Sequence, residues 1–273
     1  MRLSDVGELG LLAELEAQGL IVGTEHDAAE IEPGLVVTQD ALVEGIHFRL
    51  DWLSWREVGF RAAAVNVSDL SASAARPEAL LVTLAAPADA RVEDVVELYK
   101  GIAAAGVAVR GGDTTNSHAV VVSVTAIGRS ERVPGRAGAR AGDAIVVTGA
   151  LGAAGAAFRD GRYVRPPLRV EEGLRLGRVA TAMLDVSDGL AVDAGHLSRR
   201  SDVRIVIDLD AVPLAGELDD VGFGEDFELL ATVPQEHTAA QGFPVIGRVE
   251  EGHGVLLLRG GEPYELGGYE HFS

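Results

Sequence analysis

The spacing of apolar and polar residues changes period repeatedly along the chain. Leu3 to Gly19 has helical spacing, with Leu9, Leu12 and Leu15 set against Glu8, Glu14 and Glu16. Gly34 to Thr38 reads as a short apolar strand. Ser54 and Glu57 form a capping box that opens a helix through about Ser73, where Arg76-Pro77 stops it. Leu80 to Ala86 predicts a strand, Val92 to Ala105 a helix, Val107 to Arg110 a strand, and Ala119 to Gly128 a strand with β-branched alternation. Arg129 to Gly142, rich in Gly, Pro and Arg, is a connector. Beyond it come a strand at Ala144 to Thr148, a glycine-alanine helix, and a second helix from Pro167 to Ala180. A third helix opens at LDVSDGL and runs to about Arg200. Val203 to Leu209, Val245 to Val249 and Gly254 to Leu258 are strands. The pattern predicts a mixed α/β fold in two halves, 1–130 and 131–273.

At 273 residues and 47% hydrophobic, the chain can bury a core of that size. No run approaches the roughly 20 apolar residues of a membrane span, and MRLSDVGELG lacks the pattern of a signal peptide, so a cytoplasmic protein is expected. With no cysteine, disulfides, thiolate zinc sites and cysteine nucleophiles are excluded. A formal charge of −19 argues against nucleic-acid binding. It does not exclude a phosphorylated ligand, because magnesium can bridge carboxylates and phosphate oxygens. Lys100 is the only lysine and is followed by Gly101, so no Walker-type phosphate loop exists.

Two stretches write Val-Ser-Asp: Val67 to Asp69 and Val186 to Asp188. Asp188 precedes a helical pattern, and taken on its own it reads first as an N-cap. Asp185 ends an apolar run, a position suited to holding a cation or polar ligand in an α/β protein. Asp69 falls within the predicted helix among Ala and Val, where a surface position is the plain alternative. Gly111-Gly112-Asp113-Thr114-Thr115 is either a turn or a phosphate approach beside a metal-binding Asp. Thr38-Gln39-Asp40 ends another strand, and Asp27 follows Ile21-Val22 in HDAA. Six aspartates at strand or turn ends fit one polynuclear magnesium site better than six separate caps.

VVTQDALVEGIHF, AVNVSDLSASAARP, GGDTT, RAGARAGD, LDVSDGL, GEDFELL and IGRV, in that order from about Gly23 to Phe272, resemble the bacterial thiamine-monophosphate kinase family of the aminoimidazole-ribotide-synthetase-like superfamily. The resemblance implies two α/β halves of that type and a homodimer through the amino-terminal sheets. It implies transfer of the ATP γ-phosphoryl group to thiamine monophosphate, with several Mg²⁺ ions. By analogy Asp27, Thr38, Gln39, Asp40, Asp69, Asp113, Asp185 and Asp188 hold the metals. Tyr99, Gly112, Asp113, Arg136 and Ser187 lie near ATP, and His47, Glu225 and Phe272 near the thiamine phosphate. Arg136 is the candidate cation on the nucleotide phosphates, with a solvated connector arginine as its alternative. The two Val-Ser-Asp copies are expected at equivalent positions of the two halves. Trp52 and Trp55 read as core or interface residues.

The chain departs from the family pattern in four places. Glu25-His26-Asp27 stands for the usual Gly-Asp-Asp, Gln39 replaces a threonine, the segment between Pro213 and Gly224 is short, and Gly222-Phe223-Gly224 replaces a tighter glycine pair before Glu225. Imidazole is a poor partner for hard Mg²⁺, so His26 removes one outer ligand. A superfamily enzyme with another acceptor, such as an aminoimidazole ribotide synthetase-like cyclase, and a degenerate nucleotide-binding or thiamine-phosphate-binding protein remain alternative readings.

Overall fold

The computed structural model describes residues 2–22, 26–238 and 242–268. Phe272 and Glu25 lie outside the described residues. The chain runs through α1 (Leu3–Ala17), β1 (Ala29–Glu32), β2 (Leu35–Val43), α2 (Trp55–Ala72), β3 (Arg76–Ala86), α3 (Val92–Ala103), β4 (Val109–Asn116) and β5 (Val121–Arg129). After an irregular connector come β6 (Ala144–Val147), α4 (Ala153–Arg159), α5 (Val170–Leu176), β7 (Ala182–Asp185), α6 (Leu190–Ser201), β8 (Arg204–Asp208), β9 (Leu229–Val233), β10 (Val245–Glu250), β11 (Gly254–Arg259) and β12 (Glu262–Tyr264).

Two mixed sheets result. The first has order β1-β2-β5-β3-β4 and the second β12-β11-β8-β10-β6-β9-β7. In the first, β2 and β3 flank β5 antiparallel, and β3 runs parallel to β4 at the edge. Every strand of the first sheet lies within 29–129 and every strand of the second within 144–264.

Helix α2 joins the two halves. Its capping box forms as the sequence predicts, with Ser54 Oγ accepting from Glu57 N at 3.3 Å and Glu57 Oε2 accepting from Ser54 N at 2.7 Å. The helix is rich in small residues, and almost all of it is buried. A Cβ on Gly59 would fall 1.9 Å from Leu98 O, and one on Gly101 only 2.0 Å from Arg56 O, so these glycines let α2 and α3 meet backbone to backbone. Val58, Phe60 and Leu70 enter the core under the first sheet. Ala72 and Ala74 enter a separate cluster with Met183, Leu229 and Ala231 of the second half.

Three elements differ from expectation. β4 extends through GGDTT, which is a strand rather than a turn, because pairing with β3 overrides the weak β propensity of glycine. Gly112 has φ +144°, and a Cβ there would fall 1.8 Å from Val82 O, so its glycine serves strand packing. The helix expected from Pro167 to Ala180 shrinks to α5, whose Gly173 packs against Ser71 while the capping Gly177 packs against Ala74. The short edge strands β1 and β12 have burial patterns too open to signal themselves in the sequence.

Candidate active site

A cleft of about 940 Å³ opens between the halves. Strand β2, helix α2, strand β7 and the irregular segments around Asp27 and Arg136 bring acidic or basic side chains to it. Strand β2 alternates, so Thr38 and Asp40 share one face while Gln39 takes the other. Thr38 Oγ1 donates to Asp69 Oδ2 at 2.5 Å, and Asp40 N donates to Asn66 Oδ1 at 3.1 Å, which locks β2 onto α2. Asp185, at the last residue of β7, is 5% exposed and accepts a short hydrogen bond from Ser68 Oγ of α2. The Asp27 side chain is 3% exposed and takes both Nε (2.8 Å) and Nη2 (2.5 Å) of Arg136 on one oxygen.

The electrostatics follow from crowding. Burial, followed by the charges of Asp40, Asp185 and Asp27, pushes Asp69 well above the ordinary carboxyl range. Asp185 is raised to about 7, first by burial and then by the charge of Asp27. Burial raises Asp40 too, and it raises Asp27 despite the opposing pull of Arg136. Four crowded carboxylates, of which Asp27 is paired with Arg136, form a region of negative potential with oxygen-only donors. That donor set suits hard divalent cations such as Mg²⁺.

The second Val-Ser-Asp forms the loop after β7, and it is clasped to the segment 224–228. Glu225 N donates to Ser187 O at 2.8 Å and Phe227 N to Val186 O at 2.9 Å. Glu225 and Phe227 both carry positive φ, +58° and +52°, a conformation that non-glycine residues adopt at a cost. Gly224 permits the clasp, since a Cβ on it would fall 2.2 Å from Ser187 O. Asp226 closes the loop by accepting from Gly152 N (2.7 Å) and Ala154 N (3.3 Å), and burial raises its carboxyl to about 6. Asp188 lines the cleft, and its N–H donates to buried Asp193 at 3.0 Å.

Asp27, Thr38, Asp40, Asp69, Arg136, Asp185, Ser187, Asp188, His47 and Glu225 all line this cleft. Gln39 reaches its edge, but its amide accepts from Thr125 Oγ1 (3.2 Å) and donates to Ser123 Oγ (3.3 Å) on β5. The alternation of β2 thus turns the Gln39 side chain away from the aspartates, against the expectation that it joins them. Tyr99, Gly112 and Asp113 are not in the cleft of this chain. Tyr99 packs on α3 against the first core, and Gly112 and Asp113 are exposed on the edge strand β4. His47 Nδ1 accepts from Val43 N at 3.0 Å. His26 is not among the cleft residues; its ring fills the space beside Gly135, where a Cβ would fall 2.2 Å from it.

The two Val-Ser-Asp copies are not structurally equivalent. The first is mid-helix in α2, and the second is a strand-to-helix loop. Trp52 is not a core residue: it is 46% exposed on the cleft wall, beside Phe158 at 5.6 Å between ring centroids. Phe158 in turn stacks on Phe223 at 4.9 Å. Sequence reasoning also missed Arg61 and Tyr163. Arg61 carried a usable signal, since Arg61, Val65 and Asp69 repeat every four residues along one face of α2. Tyr163 sits in a non-periodic segment that offered none.

Fold and site together define a two-sheet protein with an acidic cleft lined by residues of both halves of the chain, and residues 25–130 match the family described as AIR synthase related protein, N-terminal domain. The chain is 34% identical to a thiamine-monophosphate kinase of Aquifex aeolicus, with all of both sequences covered. It is 33% identical to that of Mycobacterium tuberculosis over 99% of this chain and 93% of the relative. A solved structure described as AaThiL complexed with AMPPCP and TMP superposes with a TM-score of 0.91 at 33% identity, covering 99% of each chain. The chain belongs to the thiamine-monophosphate kinase family.

Proposed function

We infer that the protein is an ATP-dependent kinase that phosphorylates thiamine monophosphate to thiamine diphosphate, releasing ADP. Full-length similarity to kinases of that name supports the reaction. The observation that carries the assignment of the site is the convergence of Asp27, Asp40, Asp69 and Asp185 in one cleft.

Transfer between two polyanions is opposed by their repulsion, so alignment and neutralisation are the protein's main work. In this proposal Asp27, Asp40, Asp69 and Asp185 hold Mg²⁺, with Thr38 and Asp188 at the margin. When bound, the ions supply charge neutralisation to the transferring phosphoryl group. Arg136, already held by Asp27, lies at the nucleotide phosphates, with Ser187 beside it. The connection of Ser68 to Asp185 keeps the two halves in register as substrates bind. No side chain is needed to remove a proton, because a phosphate monoester acceptor is largely ionised near neutral pH. His47, Glu225 and, at the carboxy terminus, Phe272 serve the acceptor.

We further propose a homodimer formed through the first sheet. Its edge strand β4 is exposed along nearly its whole length, an edge that another chain can cover. On that reading Tyr99, Gly112 and Asp113 approach nucleotide or metal only in the assembled pair. Among the described residues no helix is long and apolar enough to cross a membrane; a cytoplasmic location is part of the proposal.

Incubation with ATP, Mg²⁺ and thiamine monophosphate, followed by chromatography, tests the reaction, with unphosphorylated thiamine as the control acceptor. Thiamine diphosphate formed from the monophosphate alone is expected. No product from folded protein over a wide Mg²⁺ range would overturn the assignment in favour of another acceptor or a binding protein.

A further inference from the structure

Arg136 sits in the connector between the halves, where no helix or strand covers residues 130–143. Its guanidinium is held by one oxygen of Asp27. Asp27 is also one of the four crowded carboxylates, so that side chain answers two demands at once. A cation aimed at phosphates needs its own main chain fixed by something else, because misplacement by an ångström is costly in a site that works by alignment.

The last residue of α6 supplies that hold. Ser201 Oγ accepts from Gly138 N and from Ala139 N, both at 3.1 Å, and donates to Arg136 O at 3.2 Å. One hydroxyl thus spends its donor and both of its acceptor sites on the four-residue stretch that carries Arg136. Asp202 ends the helix in the left-handed region at φ +57°, so the chain turns off directly after Ser201. The stretch cannot slide beneath the hydroxyl. Gly138 has φ +120°, a Cβ there would fall 2.6 Å from Thr181 O, and Ala139 is buried in the core of the second half. On the near side, Gly135 O accepts from Met183 N at 2.9 Å.

The place of Ser201 on α6 makes this more than a helix-end bond. Asp193, Leu197 and Ser201 recur every four residues, on one face of the helix, and Leu197 is fully buried. Asp193 accepts from Asp188 N at 3.0 Å, which ties down the loop that holds Ser187 and Asp188. Eight residues at about 1.5 Å each set these two anchors about 12 Å apart along the axis. The Arg136 side chain lies within that interval: His196 is lowered to about 4, first by burial and then by the charge of Arg136. One helix therefore fixes the separation of the two loops assigned to the nucleotide.

We propose that Ser201 is a positioning residue for Arg136 in nucleotide binding, and that α6 is the strut that sets Arg136 against Ser187. This rests on the nucleotide-side placement of Arg136 and Ser187 made above. Ser201 touches no substrate and acts only through the main chain of residues 136–139.

A double-mutant cycle tests the proposal, with calorimetric titration of a non-hydrolysable ATP analogue in the presence of Mg²⁺ into the native protein, Ser201→Ala, Arg136→Gln and the double variant. Ser201→Ala is expected to weaken binding about tenfold, the scale of one hydrogen bond, and Ser201→Thr, which keeps the hydroxyl, to restore it to within about threefold. In the Arg136→Gln background Ser201→Ala is expected to cost nothing further. An additive loss in the double variant would make Ser201 a general structural prop, and native binding by Ser201→Ala would give it no role; each result overturns the proposal. Where the heats are too small, the same cycle is read from kcat/KM for ATP. Should circular dichroism show Ser201→Ala unfolded, Ser201→Cys, which keeps the volume and weakens the hydrogen bonds, takes its place. Arg136→Gln that binds the analogue as the native protein does would remove Arg136 from the nucleotide and the proposal with it. Native protein that binds the analogue but makes no thiamine diphosphate signals failure of the assigned acceptor alone, and the cycle still decides the role of Ser201.

Discussion

The tripeptide Val-Ser-Asp occurs twice, and the two copies do different work. In α2 the backbone of Val67, Ser68 and Asp69 is committed to the helix, so only side chains reach outward. Ser68 donates to Asp185, and Asp69 accepts from Thr38. In the loop after β7 the backbone itself acts: the carbonyls of Val186 and Ser187 receive Phe227 N and Glu225 N. The helical copy joins the two halves through side chains, and the loop copy shapes the acceptor side through its main chain. A repeated motif in the sequence therefore marks a shared site without implying a shared geometry.

The sharpest way to break that contrast is charge removal. Asp69→Asn and Asp185→Asn are each expected to lower turnover by about a thousandfold or more, since metal-assisted neutralisation supplies much of the rate. Both should melt at the same temperature as the native protein or higher in the presence of a chelator, because each removes a buried, mutually repelling charge. Near-normal kcat in either variant would detach that residue from the site.

Backbone strain comes next. Gly224→Ala forces a Cβ within 2.2 Å of Ser187 O at φ +83°, and should cost about 3 kcal/mol in denaturant unfolding. A tolerated alanine would show that the loop copy is not held by this clasp. Ser68→Ala should cost about 1–3 kcal/mol, because it strands the buried Asp185 carboxyl. Ser187→Ala should stay within about 0.5 kcal/mol, since Ser187 receives Glu225 N through its main-chain carbonyl. Equal costs for the two serines would erase the distinction between side-chain and main-chain roles.

The effect of pH sharpens the account further. Asp185 at about 7 and Asp226 at about 6 hold their protons more tightly in the folded chain than an ordinary aspartate in the unfolded chain, which titrates at about 4. Between about pH 4 and pH 7 the folded state therefore binds more protons than the unfolded state, and stability falls as pH rises through that window. Chelator-treated protein should melt lower at pH 8 than at pH 5, and Mg²⁺ should offset the loss at pH 8. A melting temperature that rises over the same interval without metal would contradict the crowded-carboxylate picture.

Much of this was legible in the sequence. The capping box at Ser54 and Glu57 fixed the start of α2, and apolar runs such as Val203 to Leu209 located the central strands within a residue or two. The aspartates announced themselves as acids at the ends of apolar runs. What stayed hidden depended on pairing across long separations. GGDTT is a strand only because β3 lies beside it, and Gln39 faces away from Asp40 because of the register of β2 with β5. Trp52, Phe158 and Phe223 meet from three distant segments, so no local period marks them. Tyr163 is placed by a segment without regular structure.

The central claim is that aspartates from both halves share one metal cluster. Its most direct test is calorimetric titration of Mg²⁺ into the native protein, Asp69→Asn and Asp185→Asn, each with a non-hydrolysable ATP analogue present. The account predicts that both variants lose or weaken the same binding event. Loss of different events in the two variants, or native binding in either one, would contradict it.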